Sequence, residues 1–192
     1  MKPAWAQHAF NHMLTYVLVT LAVVIMVFLV LTSRRPDELH VERSLAVSAP
    51  AAIVFAEVND LRKWSKISPY AKEDPNAKYT LSGSTVGVGS TIDWAGNAGI
   101  GTGRITIGES RPNELVRYDF EFFKPWYCTN TTKFVFRPTA SGTEVTWAMT
   151  MKNNLIAKAS GLFMNMDKLM GESFETGLVN LRNLAEEAAR KS

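Results

Sequence analysis

The sequence predicts an α+β fold: an antiparallel sheet wrapped around one long C-terminal helix, preceded by a single transmembrane helix. Three observations carry this reading. Leu14 to Thr32 holds no charged side chain, period-two alternation recurs in short runs between residues 40 and 151, and apolar residues return at spacings of three and four from Leu162 to Leu184.

The apolar run comes first. Its 19 residues make a helix of about 28 Å at ~1.5 Å per residue, close to the ~30 Å hydrocarbon core of a bilayer. A buried core helix would be shorter or would show a polar face. A cleavable signal peptide has a shorter apolar region and a small-x-small site; no such site follows here, and Lys2 is the only charge in front. A surface-lying amphipathic helix needs a charged face. Thirteen Leu, Ile, Val and Phe side chains at roughly −0.3 to −0.6 kcal/mol each favour insertion by about 4–8 kcal/mol. Arg34 and Arg35 follow the run against the single Lys2 before it. The span is therefore expected to anchor the chain in a cell (inner) membrane with its C-terminal side in the cytoplasm.

Charge then separates the anchor from the rest. The chain carries 21 basic and 18 acidic residues, a formal charge of +3. Lys2, Arg34 and Arg35 are the only Lys or Arg before Asp37, and no acid precedes it, so 18 basic residues balance 18 acids beyond that point. A neutral segment with no Lys/Arg-rich run offers no phosphate-binding stripe, which excludes a nucleic-acid partner. Cys128 is the lone cysteine and reads as a small buried hydrophobe. His8 and His12 share a helical spacing but lack a third ligand, and His40 is the one histidine beyond the span. No metal site, catalytic triad or cofactor is implied. The expected organisation is an N-terminal flank (1–13), the span (14–32), a linker (33–39) and one domain (40–190).

Within the domain, alternation from His40 to Ser48 puts Val41, Arg43, Leu45 and Val47 on one face of a strand. Ala49-Pro50 opens a helix running to about Asn59, since proline is tolerated in a first turn. Asp60 caps a second short helix whose apolar positions are Leu61 and Trp64, and Ser65 to Ala77 reads as a loop. A weak strand near Lys78–Ser82 precedes five stronger ones: Ser90–Ala95, Gly101–Glu109, Leu115–Phe123, Cys128–Pro138 and Thr143–Met151. The tail from Asn154 to Arg190 is helical, with a cap at Asn153 or Asn154 and a kink at Ser160-Gly161. Its stripe of Leu162, Met166, Leu169, Ser173, Gly177, Leu181 and Leu184 needs a large apolar partner, and the concave sheet face is the one available.

These elements describe a helix-grip fold, and particular residues are similar to a known group. Val41-Glu42-Arg43-Ser44 leads to Ala49-Pro50, then Asn59-Asp60-Leu61 with Trp64, Trp94-Ala95-Gly96, Gly101-Thr102-Gly103 and Thr143-Glu144-Val145-Thr146-Trp147. The most specific stretch is Gly161-Leu162-Phe163-Met164 through Met166-Asp167-Lys168, Phe174-Glu175 and Gly177-Leu178. In their order and spacing, from about His40 to Glu187, they resemble the SRPBCC superfamily (START-type lipid transfer domains, polyketide cyclases, birch pollen allergen) in its bacterial polyketide cyclase/dehydrase-like branch. The resemblance implies a deep cavity between sheet and long helix for hydrophobic ligands. It implies no catalytic residue. Tyr70 stands where a second Trp often follows the proline in that branch, which bears on the cavity mouth.

Inward parity on the strands and the helix stripe select the candidate ligand-binding residues: Trp94, Tyr118, Phe120, Phe122, Trp147, Met149, Met151, Phe163, Met166 and Met170. Each of them could equally be core packing, but methionine suits an adaptable wall. Arg43, on an apolar face, either pairs with an acid or holds a ligand's anionic head. Asp119 and Glu121 alternate with aromatics and face outward. Gly99-x-Gly101-x-Gly103 leads into a strand rather than a helix, so it reads as a turn or bulge and not as a phosphate cradle. Three functions remain open from sequence. The first is a membrane-anchored domain that binds a hydrophobic or amphipathic small molecule, lipid-derived ones included. The second is a cyclase- or dehydratase-like enzyme using Tyr118 or an acid to move protons, and the third a non-binding interaction domain with a filled core.

Overall fold

The computed structural model describes residues 4–191, with side chains described from His12 onward. Lys2 and the side chain of His8 lie outside the described residues. In chain order the elements are α1 (Ala4–Ser33), β1 (Glu38–Val47), α2 (Ala51–Val58), a 3-10 turn (Leu61–Lys63), α3 (Trp64–Ile67), a second 3-10 turn (Pro69–Lys72), β2 (Lys78–Gly83), β3 (Ser90–Ala95), β4 (Thr102–Arg111), β5 (Leu115–Lys124), β6 (Cys128–Thr139), β7 (Gly142–Lys152), α4 (Leu155–Ser160) and α5 (Met166–Lys191). Two compact units form. One holds the chain through Asp37 together with Asn153–Met164, and the other holds Glu38–Lys152 together with the residues from Asn165 onward.

In the first unit, His12–Ser33 is one helical stretch of 22 residues, long and apolar enough to cross a membrane. It is exposed throughout except at Thr32. α4 begins where the Asn154 side chain accepts the Ala157 N–H, and its Lys158 pairs with Asp37. The sequence alone left the choice between Asn153 and Asn154 open; Asn153 is used otherwise, donating to the carbonyls of Asp37 and Pro36.

The second unit is a seven-stranded sheet in the order β1-β7-β6-β5-β4-β3-β2, every pair antiparallel. Alternation decides which side faces α5. On β7, Val145, Trp147 and Met149 are buried while the residues between them are half-buried. The weak strand at residue 78 is real and forms one edge. The expected loop of residues 65–77 instead contains two short helical turns, because the Ser68 side chain accepts the Tyr70 N–H and caps the turn that Pro69 opens.

The tail is two helices rather than one kinked helix. Gly161 ends α4, and the Asn165 side chain accepts the Lys168 N–H to start α5 afresh. An asparagine that satisfies an orphan helix donor makes a fresh start cheaper than continuation. α5 then buries Gly171, Phe174, Gly177, Leu178, Leu181 and Ala185 against the sheet.

The sheet has two distinct ends. At one, Val47, Leu115 and the β6–β7 turn meet, and here the interior is solid: Ile107, Val116, Phe136, Val145, Leu181 and Ala185 are all essentially without solvent contact. The Ser48 N–H donates to Glu186 there, closing the C-terminal half of α5 over that end. At the other end stand Glu38, Ala95, Lys124 and Lys152, and there the interior opens.

Candidate functional site

A cavity of about 250 Å³ lies between the sheet and the N-terminal half of α5, toward the open end. β3, β4, β5, β6 and β7 supply Trp94, Ile105, Phe120, Phe122, Asn130, Thr132, Trp147 and Met149. α5 supplies Met170 and Phe174, α3 supplies Trp64, and the following turn supplies Ser68, Pro69 and Tyr70. Tyr79, Gly99 and Ile100 complete the wall. Six of the ten sequence-selected residues are therefore brought together: Trp94, Phe120, Phe122, Trp147, Met149 and Met170. The other four are not wall residues. Tyr118 is buried beneath the aromatic layer, Met151 and Met166 are half-buried, and Phe163 is 81% exposed on the other compact unit.

The wall is a connected aromatic layer. Trp64 makes edge contacts with Tyr118 at 5.6 Å, Phe120 at 5.7 Å and Trp147 at 6.0 Å between centroids. Trp147 stacks on Phe174 at 4.9 Å, and Trp94 meets Phe122 edge-on at 5.2 Å. Such pairs fix ring orientation beyond what area burial does. Two glycines permit the arrangement. A side chain at Gly177 would strike the Trp147 ring, and one at Gly103 would strike the Trp94 ring and the Glu121 carbonyl. The Gly99–Gly103 run is thus a turn leading into an irregularity in the β4–β5 register, with Gly101 at φ +63°.

The mouth is tied down by polar contacts. The Trp94 indole donates to the Ile100 carbonyl at 3.1 Å. Asp74, nearly buried, accepts the Asn97 N–H at 2.7 Å and the Asn76 N–H at 3.0 Å, joining two loops. Tyr70, the residue that departs from the branch pattern, lines the cavity while 37% exposed.

Electrostatically the cavity is neutral: none of its wall residues carries a formal charge. Its ionisable groups are the phenols of Tyr70 and Tyr79. A free phenol titrates near ~10, and burial, with Asp74 nearby, pushes that of Tyr79 higher. The Tyr118 hydroxyl donates to the Val58 carbonyl, and burial drives its pKa strongly upward. It is committed to structure and held protonated. The carboxylates sit elsewhere: Asp93 pairs with Arg104 at 2.7 Å and Asp119 with Arg117 at 3.3 Å. Arg43 reaches Asp167 at 3.0 Å and Glu175 at 3.2 Å, lying where Gly171 leaves space on α5, and holds the Asp167 carboxyl below its usual range. It makes the structural pair. Among the described wall residues, one fully buried side-chain polar atom has no protein partner: the indole N–H of Trp147, a residue 3% exposed, meets no acceptor. Buried donors in that condition are rare and call for an explanation. Among the described residues, no group of three or more His, Cys, Asp and Glu stands together as a metal site.

Several wall residues were not selected from sequence. Asn130 and Thr132 share strand parity with Phe134 and Phe136, so the signal for them was present; Ile100 and Ser68 sit in loops where no periodicity points inward.

With this geometry in view, residues 38–186 match the family model described as polyketide cyclase / dehydrase and lipid transport. The chain belongs to that family. Solved structures of low identity share the fold of this polyketide cyclase/dehydrase family member. The di-domain ARO/CYC StfQ from the steffimycin biosynthetic pathway aligns at TM-score 0.60 and 15% identity, over 82% of this chain and 53% of that one. This chain therefore spans about half of it. A protein from Chromobacterium violaceum aligns at TM-score 0.54 and 16% identity, covering 79% of this chain and 99% of that one. Ara h 8.0201 aligns at 0.53 and 9%, covering 81% and 99%. Comparison with curated proteins finds no match.

Proposed function

We propose that this family member binds a compact hydrophobic or amphipathic molecule in the cavity, and that α1 holds it at a membrane. The observation that carries the reading is a wall of aromatic and methionine side chains with no charged group and one buried, unpaired Trp147 N–H. An apolar ligand burying ~200 Å² would gain about 5 kcal/mol at ~25 cal/mol per Å². An oxygen placed on the Trp147 N–H would relieve a desolvation cost of roughly 1–3 kcal/mol. The cavity is below the ~300–1,000 Å³ usual for ligand sites, so it takes a small molecule or one segment of a longer one. The same wall speaks against the cyclase- or dehydratase-like alternative, because a general acid or base works best with a pKa near the operating pH and no wall residue offers one.

The domain sits on the cytoplasmic side of the inner membrane in this reading, on the strength of Arg34 and Arg35. Native mass spectrometry of the detergent-extracted chain tests the binding: one non-covalent adduct lost on denaturation is expected, and a bare chain mass under gentle conditions contradicts it. Protease treatment of intact spheroplasts tests the side. The domain should survive until the membrane is opened, and cleavage without lysis places it outside.

A further inference from the structure

We infer that the β5–β6 hairpin tip is a second membrane contact, seating the cavity mouth on the lipid surface; the inference rests on the anchored reading of α1. The tip presents Phe123, Trp126 and Tyr127, which are 42%, 81% and 70% exposed. Tryptophan and tyrosine combine an apolar ring with a polar edge and collect where bilayer meets water. A pair of them this exposed at a hairpin tip adds little to the core of the fold.

Strand register shows which way the tip projects. Leu39 of β1 lies opposite Met151, Met151 opposite Asn130, and Asn130 opposite Phe120. The edge where the chain enters this unit, at Glu38, is therefore the edge beyond which β5 and β6 extend to their tip. Only four residues separate Glu38 from the end of α1. The covalent reach of that linker from Ser33 to Glu38, five steps at ~3.5 Å, is about 18 Å at most. The cavity opens at the same end: Gly101 packs against the Lys124 carbonyl, its neighbour Ile100 is a wall residue, and so is Phe122.

The opposite end of the sheet is built differently. Its β4–β5 and β6–β7 turns are Pro112-Asn113-Glu114 and Ala140-Ser141, with no large apolar side chain, although Val86 and Val88 are exposed in the β2–β3 loop. Independently, the compact unit that contains α1 packs α4 against that helix and leaves Leu155, Ile156, Phe163 and Met164 exposed. Apolar exposure beside an apolar helix fits the same lipid surface.

The test uses the full chain in phosphatidylcholine–phosphatidylglycerol vesicles, with the Trp126→Phe variant as subtraction control. Because Trp126 is exposed, the variant keeps the fold. The difference emission isolates Trp126. It should be blue-shifted, lose most of its intensity with acyl-brominated lipid, and resist aqueous iodide. Emission at the water-exposed wavelength, quenched by iodide and indifferent to bromine, overturns the inference. Vesicle flotation after alkaline wash reports α1 separately: a chain that floats with an aqueous Trp126 sinks the tip contact alone, and one that does not float sinks the anchor and this inference with it.

Discussion

The two ends of the sheet–helix interior are both apolar, yet they are built from different side chains and do opposite things. At the closed end, branched aliphatics from the strands meet Leu181 and Ala185 of α5 with essentially no solvent contact. At the open end, the rings of Trp94, Phe120 and Phe122 contact one another, Trp147 packs on Trp64 and Phe174, and together they enclose about 250 Å³. The difference teaches that this fold opens its cavity by packing large rings against one another instead of by removing residues. Stability should therefore reside at the closed end and binding at the open one.

Substitutions can break that division, and the largest effect belongs to the closed end. Leu181→Ala should cost about 2–5 kcal/mol in chemical denaturation, with ligand occupancy of the surviving folded fraction unchanged. Gly177→Ala, at the junction, forces a methyl onto the Trp147 ring. It should cost roughly 1–3 kcal/mol through overpacking and lower occupancy as well. Phe122→Ala, at the half-exposed mouth, should cost about 1 kcal/mol or less in stability, following the area it buries, yet release the ligand on native mass spectrometry. If Phe122→Ala destabilised as much as Leu181→Ala, the division would be wrong.

Two further effects sharpen the comparison. Trp147→Phe removes a donor that has no protein partner but also shrinks a buried ring packed against Phe134 and Phe174, so it should cost about 1–2 kcal/mol of ligand-free stability and weaken binding by about 1 kcal/mol or more. Asp60, nearly buried, is held below the ordinary carboxylate range by the Arg62 guanidinium, against the opposing effect of burial. Its folded form therefore binds fewer protons than its unfolded form. The stability it adds is complete above the ordinary Asp value of about 3.9 and is lost as pH falls through the depressed folded value. In Asp60→Asn that part of the acid sensitivity should vanish from a denaturation series.

The sheet was legible because alternation is enforced wherever one face is buried: β3 starts and ends where Ser90 and Ala95 suggest, and even the weak strand at Lys78 forms. Helix breaks were less legible. Gly161 was visible as a perturbation, but Asn165 acts through its side-chain acceptance of the Lys168 N–H, a choice between continuing and restarting that residue type alone does not settle. For the site, parity identified the faces but not the depth. Tyr118 and Phe120 share a face of β5, and only the path of α2 and α3 decides that Tyr118 is spent on the Val58 carbonyl while Phe120 meets the cavity. Loop residues such as Ile100 carry no periodic signal at all.

The central claim is that the open end holds a ligand and the closed end does not. Methyl NMR of the eight methionines in the detergent-extracted chain tests it directly, because Met149 and Met170 are wall residues while Met151 and Met166 are not. Stripping co-purified small molecules with solvent-exchanged detergent should shift the Met149 and Met170 methyl signals and leave Met13 and Met26 of α1 in place. Signals from Met149 and Met170 that do not change between the two preparations, with no adduct in the mass spectrum, would contradict the account.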